Sequence, residues 1–195
     1  MKALKILLII MMIPVMVFIC VGIGFSNNYS ATYSFEVKAP IDQVHSYVGD
    51  LEKWPLWNPW QLSDETVVII LGDITQGVGA SQSWEGKKGE GRLVITKAEA
   101  TSGIEFDEWV DDKSQKGINK ISYEAVNGNT MVTWTISGEE PGFIMGGWHA
   151  KMMMMLCPSY FQTGLSALNE VIITSEVSSS EPAVADEAKT GDVVQ

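Results

Sequence analysis

The chain has 195 residues, of which 46% are hydrophobic and 19% are charged, and its formal net charge is −11. This length accommodates one ordinary domain plus additional segments. Without Lys2 and Lys5, the remaining 11 basic and 24 acidic residues give a net charge of −13. Such an acidic domain is repelled by nucleic-acid phosphates and has no polybasic patch for anionic lipid headgroups. We therefore expect no nucleic-acid partner.

The N-terminal segment predicts a membrane-spanning helix. Twenty residues without a charge run from Ile6 to Phe25, which matches the ~30 Å hydrocarbon core of a bilayer. Pro14 lies within this run, and membrane helices tolerate proline. Lys2 and Lys5 precede the run, and the next basic residue is Lys38. The positive-inside rule then predicts a single-pass protein whose domain is extracytoplasmic, either periplasmic or on the cell surface.

Two other interpretations of this segment remain open. A cleaved signal peptide usually has a shorter apolar core and a cleavage site with small residues, for which the following sequence GFSNNYSA is a poor match. A lipidated Cys20 would need small residues before it, but Phe18 and Ile19 stand there. We predict an uncleaved anchor over residues 1–27.

The next part of the chain predicts an antiparallel sheet. Polar and apolar residues alternate strictly in NYSATYSFEVKA, from Asn28 to Ala39, as in a half-buried strand. Pro40 begins a short helix, and a second helical turn from Leu51 should stop at Pro55. Tight turns between the following strands favour a meander. Six further strands are predicted, at residues 66–71, 80–85, 92–98, 103–110, 118–125 and 130–138.

A long helix and a polar tail complete the chain. Four apolar residues, spaced four, three and four apart, share one helical face: Phe161, Leu165, Leu168 and Ile172. Pro158 fits the first turn of this helix or kinks a longer helix that begins near Gly147. The residues from Ser175 onward are polar and acidic, so we expect a disordered tail over 175–195.

Several segments resemble the helix-grip fold of the SRPBCC superfamily, which includes START lipid-transfer domains. The segments KAPIDQVHSYVGDLEKWPLWNPW, GVGASQSWEGKKGEGRLVIT, VTWTISGE and PSYFQTGLSALNEV are similar to stretches of bacterial polyketide cyclase/dehydrase and lipid transport proteins. The resemblance implies an α+β domain over residues 28–174, in which a curved antiparallel sheet grips the C-terminal helix around an apolar cavity. This family has no shared catalytic motif that could be carried over.

The tryptophan-rich segment WPLWNPW suggests either a plug that braces the fold or a wall that contacts an apolar ligand. Its two prolines disfavour a regular helix, so its indoles should point to different sides. Methionine adapts to apolar ligands of varied shape, and aromatic residues of the strands and the long helix complete the set. The predicted cavity-lining residues are Trp54, Trp57, Trp60, Trp84, Phe106, Trp134, Met152 and Phe161.

The sequence is compatible with three functions. The first is a membrane-anchored module that binds a small hydrophobic molecule or lipid. The second is a cyclase-like enzyme acting on a hydrophobic polyketide-type substrate, with His45, Glu105 or another buried polar group as acid–base catalyst. The third is a protein-binding domain with a filled cavity. The sequence establishes no set of catalytic residues. His45 and His149 are far apart in the sequence and predict no metal site, and we expect no cofactor. Cys157 is interpreted as a thiol packed in the core.

Overall fold

The computed structural model describes residues 2–111 and 116–180 of the chain. The helices are α1 (Lys2–Gly24), α2 (Ile41–Val48), α3 (Pro59–Ser63) and α4 (Met145–Ser180), and a 3₁₀ helix (Leu51–Leu56) lies between α2 and α3. The strands are β1 (Asn28–Val37), β2 (Val68–Leu71), β3 (Ser81–Gly86), β4 (Gly89–Glu99), β5 (Gly103–Val110), β6 (Gly117–Val126) and β7 (Asn129–Glu139).

The seven strands form one antiparallel sheet in the order β1-β7-β6-β5-β4-β3-β2. Strands β2 to β7 follow one another as a meander, and β1 joins the edge beside β7, where Tyr33 lies opposite Trp134. A bulge between Ile95 and Lys97 interrupts the β4–β5 register, and such bulges bend a sheet. Helix α4 packs across this curved sheet. The predicted α+β helix-grip architecture is confirmed.

The core lies between the inward face of the sheet and α4. The four α4 residues predicted to share a face, Phe161 to Ile172, are all buried. On β5, Ile104, Phe106 and Glu108 alternate inward, while Glu105 and Asp107 are less buried. This alternation fixes which β5 side chains can reach the interior, because successive strand residues point to opposite faces.

The tryptophan-rich segment is more helical than its two prolines predict. The 3₁₀ helix continues through Pro55 to Leu56, because the fixed φ of proline is compatible with a helical turn. Helix α3 then begins at Pro59, where the missing N–H is not needed. The side chain of Asn58 caps α3 by accepting a hydrogen bond from the Trp60 backbone N–H at 2.9 Å.

Helix α4 follows the longer of the two predicted alternatives. It begins at Met145 and contains Pro158 within its length. It continues to Ser180, so the first residues of the predicted tail, from Ser175, are helical. The remainder of that tail, residues 181–195, lies outside the described part of the chain.

Helix α1 contains a stretch, Lys5–Gly24, that is long and apolar enough to cross a membrane. It is almost entirely exposed except near its C-terminal end, where it contacts the beginning of α4. The Trp148 ring on α4 stacks on Phe18 of α1, with 4.9 Å between the ring centroids. The same ring meets Phe25 edge-on at 5.0 Å. The C-terminal end of the apolar helix is therefore packed against the domain, and the rest of the helix is exposed.

Candidate functional site

An apolar pocket of about 290 Å³ lies between the sheet and α4. It is located where β1 and β6 begin and where β5 and β7 end, close to the connection from β7 to α4. Its apolar wall includes Trp60, Ile136, Met153, Leu156, Tyr160 and Phe161. Its polar lining residues are Tyr29, Glu108, Lys116, Glu139 and Glu140. The space can hold a small, mostly apolar molecule with one polar end.

Glu108 is one of two buried carboxyl groups that line this pocket, and Glu140 is the other. The inward position of Glu108 on β5 leaves only 5% of the residue exposed. The Asn119 Nδ2 donates a hydrogen bond to Glu108 Oε2 at 3.1 Å. The Asn119 Oδ1 in turn accepts a hydrogen bond from Trp134 Nε1 at 3.0 Å. Since the indole can only donate, it fixes the Asn119 amide with its NH₂ group toward Glu108.

Burial raises the pKa of Glu108 to about 7, although the hydrogen bond from Asn119 opposes this shift. Desolvation penalises the charged form of a carboxyl group, so protonated and ionised Glu108 are both populated near neutral pH. A group with this pKa can give or take a proton under physiological conditions. It can also donate or accept a hydrogen bond toward a molecule in the pocket.

Two other titratable residues of the pocket stay neutral at physiological pH. Burial, reinforced by nearby Glu140, raises the pKa of Tyr29 to about 12. Burial, reinforced by Glu108, raises the pKa of Cys157 to about 11. A thiol with a raised pKa is a poor nucleophile. Cys157 is buried and contributes its sulfur to the pocket wall as an apolar group.

The pocket wall includes two of the predicted lining residues, Trp60 and Phe161. Four others pack against one another in the core beside the pocket: Trp54, Trp57, Phe106 and Trp134. Phe161 joins the two groups, because its ring stacks on Trp134 with 4.5 Å between the centroids. In the segment WPLWNPW, the first two indoles therefore fill the core and the third faces the pocket.

Trp84 and Met152 are also outside the pocket wall. Trp84 is buried on β3, where it lines a cavity of about 10 Å³ and a separate pocket of about 270 Å³ beside Arg92. Its ring centroid is 6.2 Å from that of Trp60. Met152 is half-exposed on the outer side of α4, whereas the next residue, Met153, lines the pocket. One position along a helix rotates a side chain by about 100°, so a one-residue error moves it off the wall.

The two residues considered as catalysts also lie elsewhere. His45 Nδ1 is 3.4 Å from the Tyr123 hydroxyl oxygen, and burial lowers the pKa of this imidazole. Glu105 pairs with Lys97 and Lys120 at 4.0 and 3.7 Å. Neither His45 nor Glu105 lines this pocket.

The sequence interpretation missed Glu108 and Asn119. The signal was present for Glu108, because it lies two residues after Phe106 on a predicted strand and must share its face. Asn119 carries no such signal, since its role depends on its contacts with β5 and β7. Among the described residues, no three His, Cys, Asp or Glu side chains are grouped as metal ligands would be.

The sequence matches the family described as polyketide cyclase / dehydrase and lipid transport over residues 29–172. The chain belongs to this family. The matched range begins with β1 and ends within α4, so it contains the sheet, the pocket and the buried face of α4. Membership shows the fold and links it to proteins that handle hydrophobic molecules. No functionally curated protein matches the chain.

Solved structures share the fold at low sequence identity. A Staphylococcus epidermidis protein is 15% identical with a TM-score of 0.56, covering 75% of this chain and 90% of its own. A Thermus thermophilus protein is 16% identical with a TM-score of 0.55, covering 75% and 98%. The Aha1 dimer protein of Colwellia psychrerythraea is 13% identical with a TM-score of 0.54, covering 73% and 95%. These similarities concern the fold alone.

Proposed function

We propose that this protein is a membrane-anchored binding module for a small hydrophobic molecule or lipid. The observation that carries the proposal is the pocket between the sheet and α4, which is walled by apolar side chains and lined by two buried carboxyl groups, those of Glu108 and Glu140. Its volume of about 290 Å³ is close to the ~300 Å³ at the low end of ligand sites. The ligand would place its apolar body against Trp60 and Phe161 and its polar end near Glu108.

The contacts of α1 support retention of this helix as a membrane anchor. The Trp148 Nε1 donates a hydrogen bond to the Phe18 carbonyl oxygen at 3.2 Å. Removal of α1 as a signal peptide would deprive Trp148 of this bond and of its stacking contact with Phe18. The lysines at positions 2 and 5 favour a cytoplasmic N-terminus. We therefore place the pocket on the extracytoplasmic side of the membrane.

The binding proposal is tested by blocking the pocket from its rim. Leu156 lines the pocket and is also half-exposed, so Leu156→Trp can fill the pocket without opening the core. Met155→Trp is the matched control, because Met155 is exposed on the same helix and does not line the pocket. The purified full chain in detergent micelles is titrated with a fluorescent fatty acid.

We expect the wild type and Met155→Trp to take up the fluorescent fatty acid and Leu156→Trp to lose this uptake. The proposal fails if no fatty acid binds, or if Leu156→Trp binds as well as Met155→Trp. The latter result would place the dye elsewhere on the protein.

Glu108 favours a second candidate function, a cyclase-like enzyme acting on a hydrophobic polyketide-type substrate. Such chemistry begins when a base removes a proton next to a carbonyl group, and Glu108 has a pKa of about 7, suited to this role. A hydrophobic aryl ketone in D₂O tests it, with NMR following α-proton exchange. Enzymatic acceleration that Glu108→Gln abolishes, with fatty-acid uptake retained, would support catalysis, and exchange at the uncatalysed rate would exclude this step.

A further inference from the structure

An exposed apolar surface extends along the beginning of α4. It consists of Phe143 in the preceding connection and of four residues from the first turns of the helix. We call these five residues the α4 apolar surface: Phe143, Met145, Met152, Met155 and Leu156. Phe143 is 77% exposed and Met155 is 72% exposed. Side chains of this size cluster on a surface when another apolar phase or partner covers them.

The same part of α4 is packed against α1 at close range. A Cβ atom at Gly22 would lie 2.7 Å from the Ile144 carbonyl oxygen, and one at Gly147 would lie 2.7 Å from the Gly22 carbonyl oxygen. Small residues that allow two helices to approach this closely are typical of membrane-helix contacts. The α4 apolar surface therefore belongs to the same stretch of α4 that approaches α1 closely.

The position of this contact along α1 indicates its depth. Phe18 lies six residues before Gly24, the end of α1, which is about 9 Å along the helix axis. If residues 5–24 fill the ~30 Å hydrocarbon core, Trp148 meets α1 inside the boundary of that core. Tryptophan is enriched at this boundary. Lys151, whose Nζ is 5.4 Å from the Phe25 ring centroid, can extend its charge toward the headgroups.

Leu156 connects this surface to the pocket. It is 52% exposed and also belongs to the pocket wall. Pro141, two residues before Phe143, is another lining residue. The pocket therefore opens beside the α4 apolar surface and on the same side of the domain as the contact with α1.

We propose that the α4 apolar surface lies in the interfacial layer of the membrane, so that the pocket exchanges its ligand with the bilayer. The molecule that covers the α4 apolar surface is phospholipid, because α1 holds this surface beside the predicted membrane span. The acidic domain supplies no electrostatic attraction to anionic headgroups, so contact depends on apolar burial. The inference rests on the proposed membrane anchoring by α1, and it adds that the domain itself touches lipid.

Photocrosslinking in phosphatidylcholine nanodiscs tests this proposal with the full chain. A benzophenone amino acid replaces Met152 or Met155 on the surface. Met12, which is 65% exposed on α1, is the control for anchoring. Val78, which is 64% exposed in the connection between β2 and β3, is the control for an exposed position away from the α4 apolar surface. Mass spectrometry detects the addition of one phospholipid.

We expect phospholipid adducts at positions 12, 152 and 155 and none at Val78. Adducts at Met12 with none at Met152 and Met155 would overturn the inference and leave the anchor in place. Absence of adducts at Met12 would overturn the anchoring proposal and this inference with it. Crosslinked dimers at Met152 and Met155 in place of lipid adducts would also overturn it, because the surface would then be an interface between copies of this chain.

Discussion

Replacement of Glu108 by Gln should remove a pH dependence of stability that originates in the pocket. Glutamine has nearly the same shape, stays neutral and can accept the hydrogen bond from Asn119 Nδ2. The pKa of Glu108 rises from 4.5 to about 7 because the residue is buried. Each pKa unit corresponds to about 1.36 kcal/mol, so the raised value is equivalent to about 3 kcal/mol.

The sign follows from proton binding. The folded protein keeps the Glu108 proton up to a pKa of about 7, while the unfolded chain releases it near 4.5. The folded state therefore binds more protons in this window, and the free energy of unfolding falls as pH rises through it. Between pH 4.5 and just above pH 7, the free energy of unfolding of the wild type should fall by up to about 3 kcal/mol relative to that of Glu108→Gln. At higher pH, this difference should change little further.

Urea unfolding of the full chain in detergent micelles, followed by tryptophan fluorescence, measures this difference. Wild type and Glu108→Gln are compared at each pH, so the contribution of His45, whose pKa burial lowers, is common to both and cancels. If the stability difference between the two proteins stays constant across this pH range, the claim that burial keeps Glu108 protonated is refuted. A difference that grows in favour of the wild type would refute the sign of its pKa shift.

Two further predictions concern the surroundings of the pocket and the sheet. Trp134→Phe removes the indole N–H that donates to Asn119 Oδ1, so the free energy of unfolding in urea should fall by about 1–3 kcal/mol. Gly103→Ala places a Cβ atom 1.9 Å from the Ile121 carbonyl oxygen at a φ of +117°, so the loss should exceed about 3 kcal/mol. The matched Gly128→Ala, with open space around its Cβ, should cost only about 1 kcal/mol.

Either result could contradict the structure. An unchanged stability in Trp134→Phe would mean that Asn119 does not depend on the indole for its hydrogen bond. Equal losses in Gly103→Ala and Gly128→Ala would mean that the close approach of β5 and β6 at Ile121 is absent, because only backbone conformation would then matter.

The architecture was predictable because local patterns and turns agree with one another. Alternation in β1 and the four-three-four spacing on α4 each specify a buried face. Together with the quoted segments, they led to the helix-grip fold. Proline in WPLWNPW misled the local prediction, because Pro59 begins a helix that Asn58 caps, and the sequence alone does not distinguish this from an extended turn.

The pocket was only partly predictable, because depth within a fold is a tertiary property. Trp57 and Trp60 belong to one short segment, yet the first is fully buried in the core and the second faces the pocket. The strand alternation that placed Phe106 inward also places Glu108 inward. Charged residues are rarely buried, so composition alone does not predict that Glu108 enters the pocket while Glu105 lies on the opposite face.

The central claim is that the space between the sheet and α4 holds a hydrophobic guest. Native mass spectrometry of the full chain, released from mild detergent micelles, tests it most directly. We predict an additional apolar molecule bound to the wild type and to Met155→Trp, and its loss from Leu156→Trp. A bare protein mass for all three, or equal occupancy of Leu156→Trp and Met155→Trp, would contradict the claim.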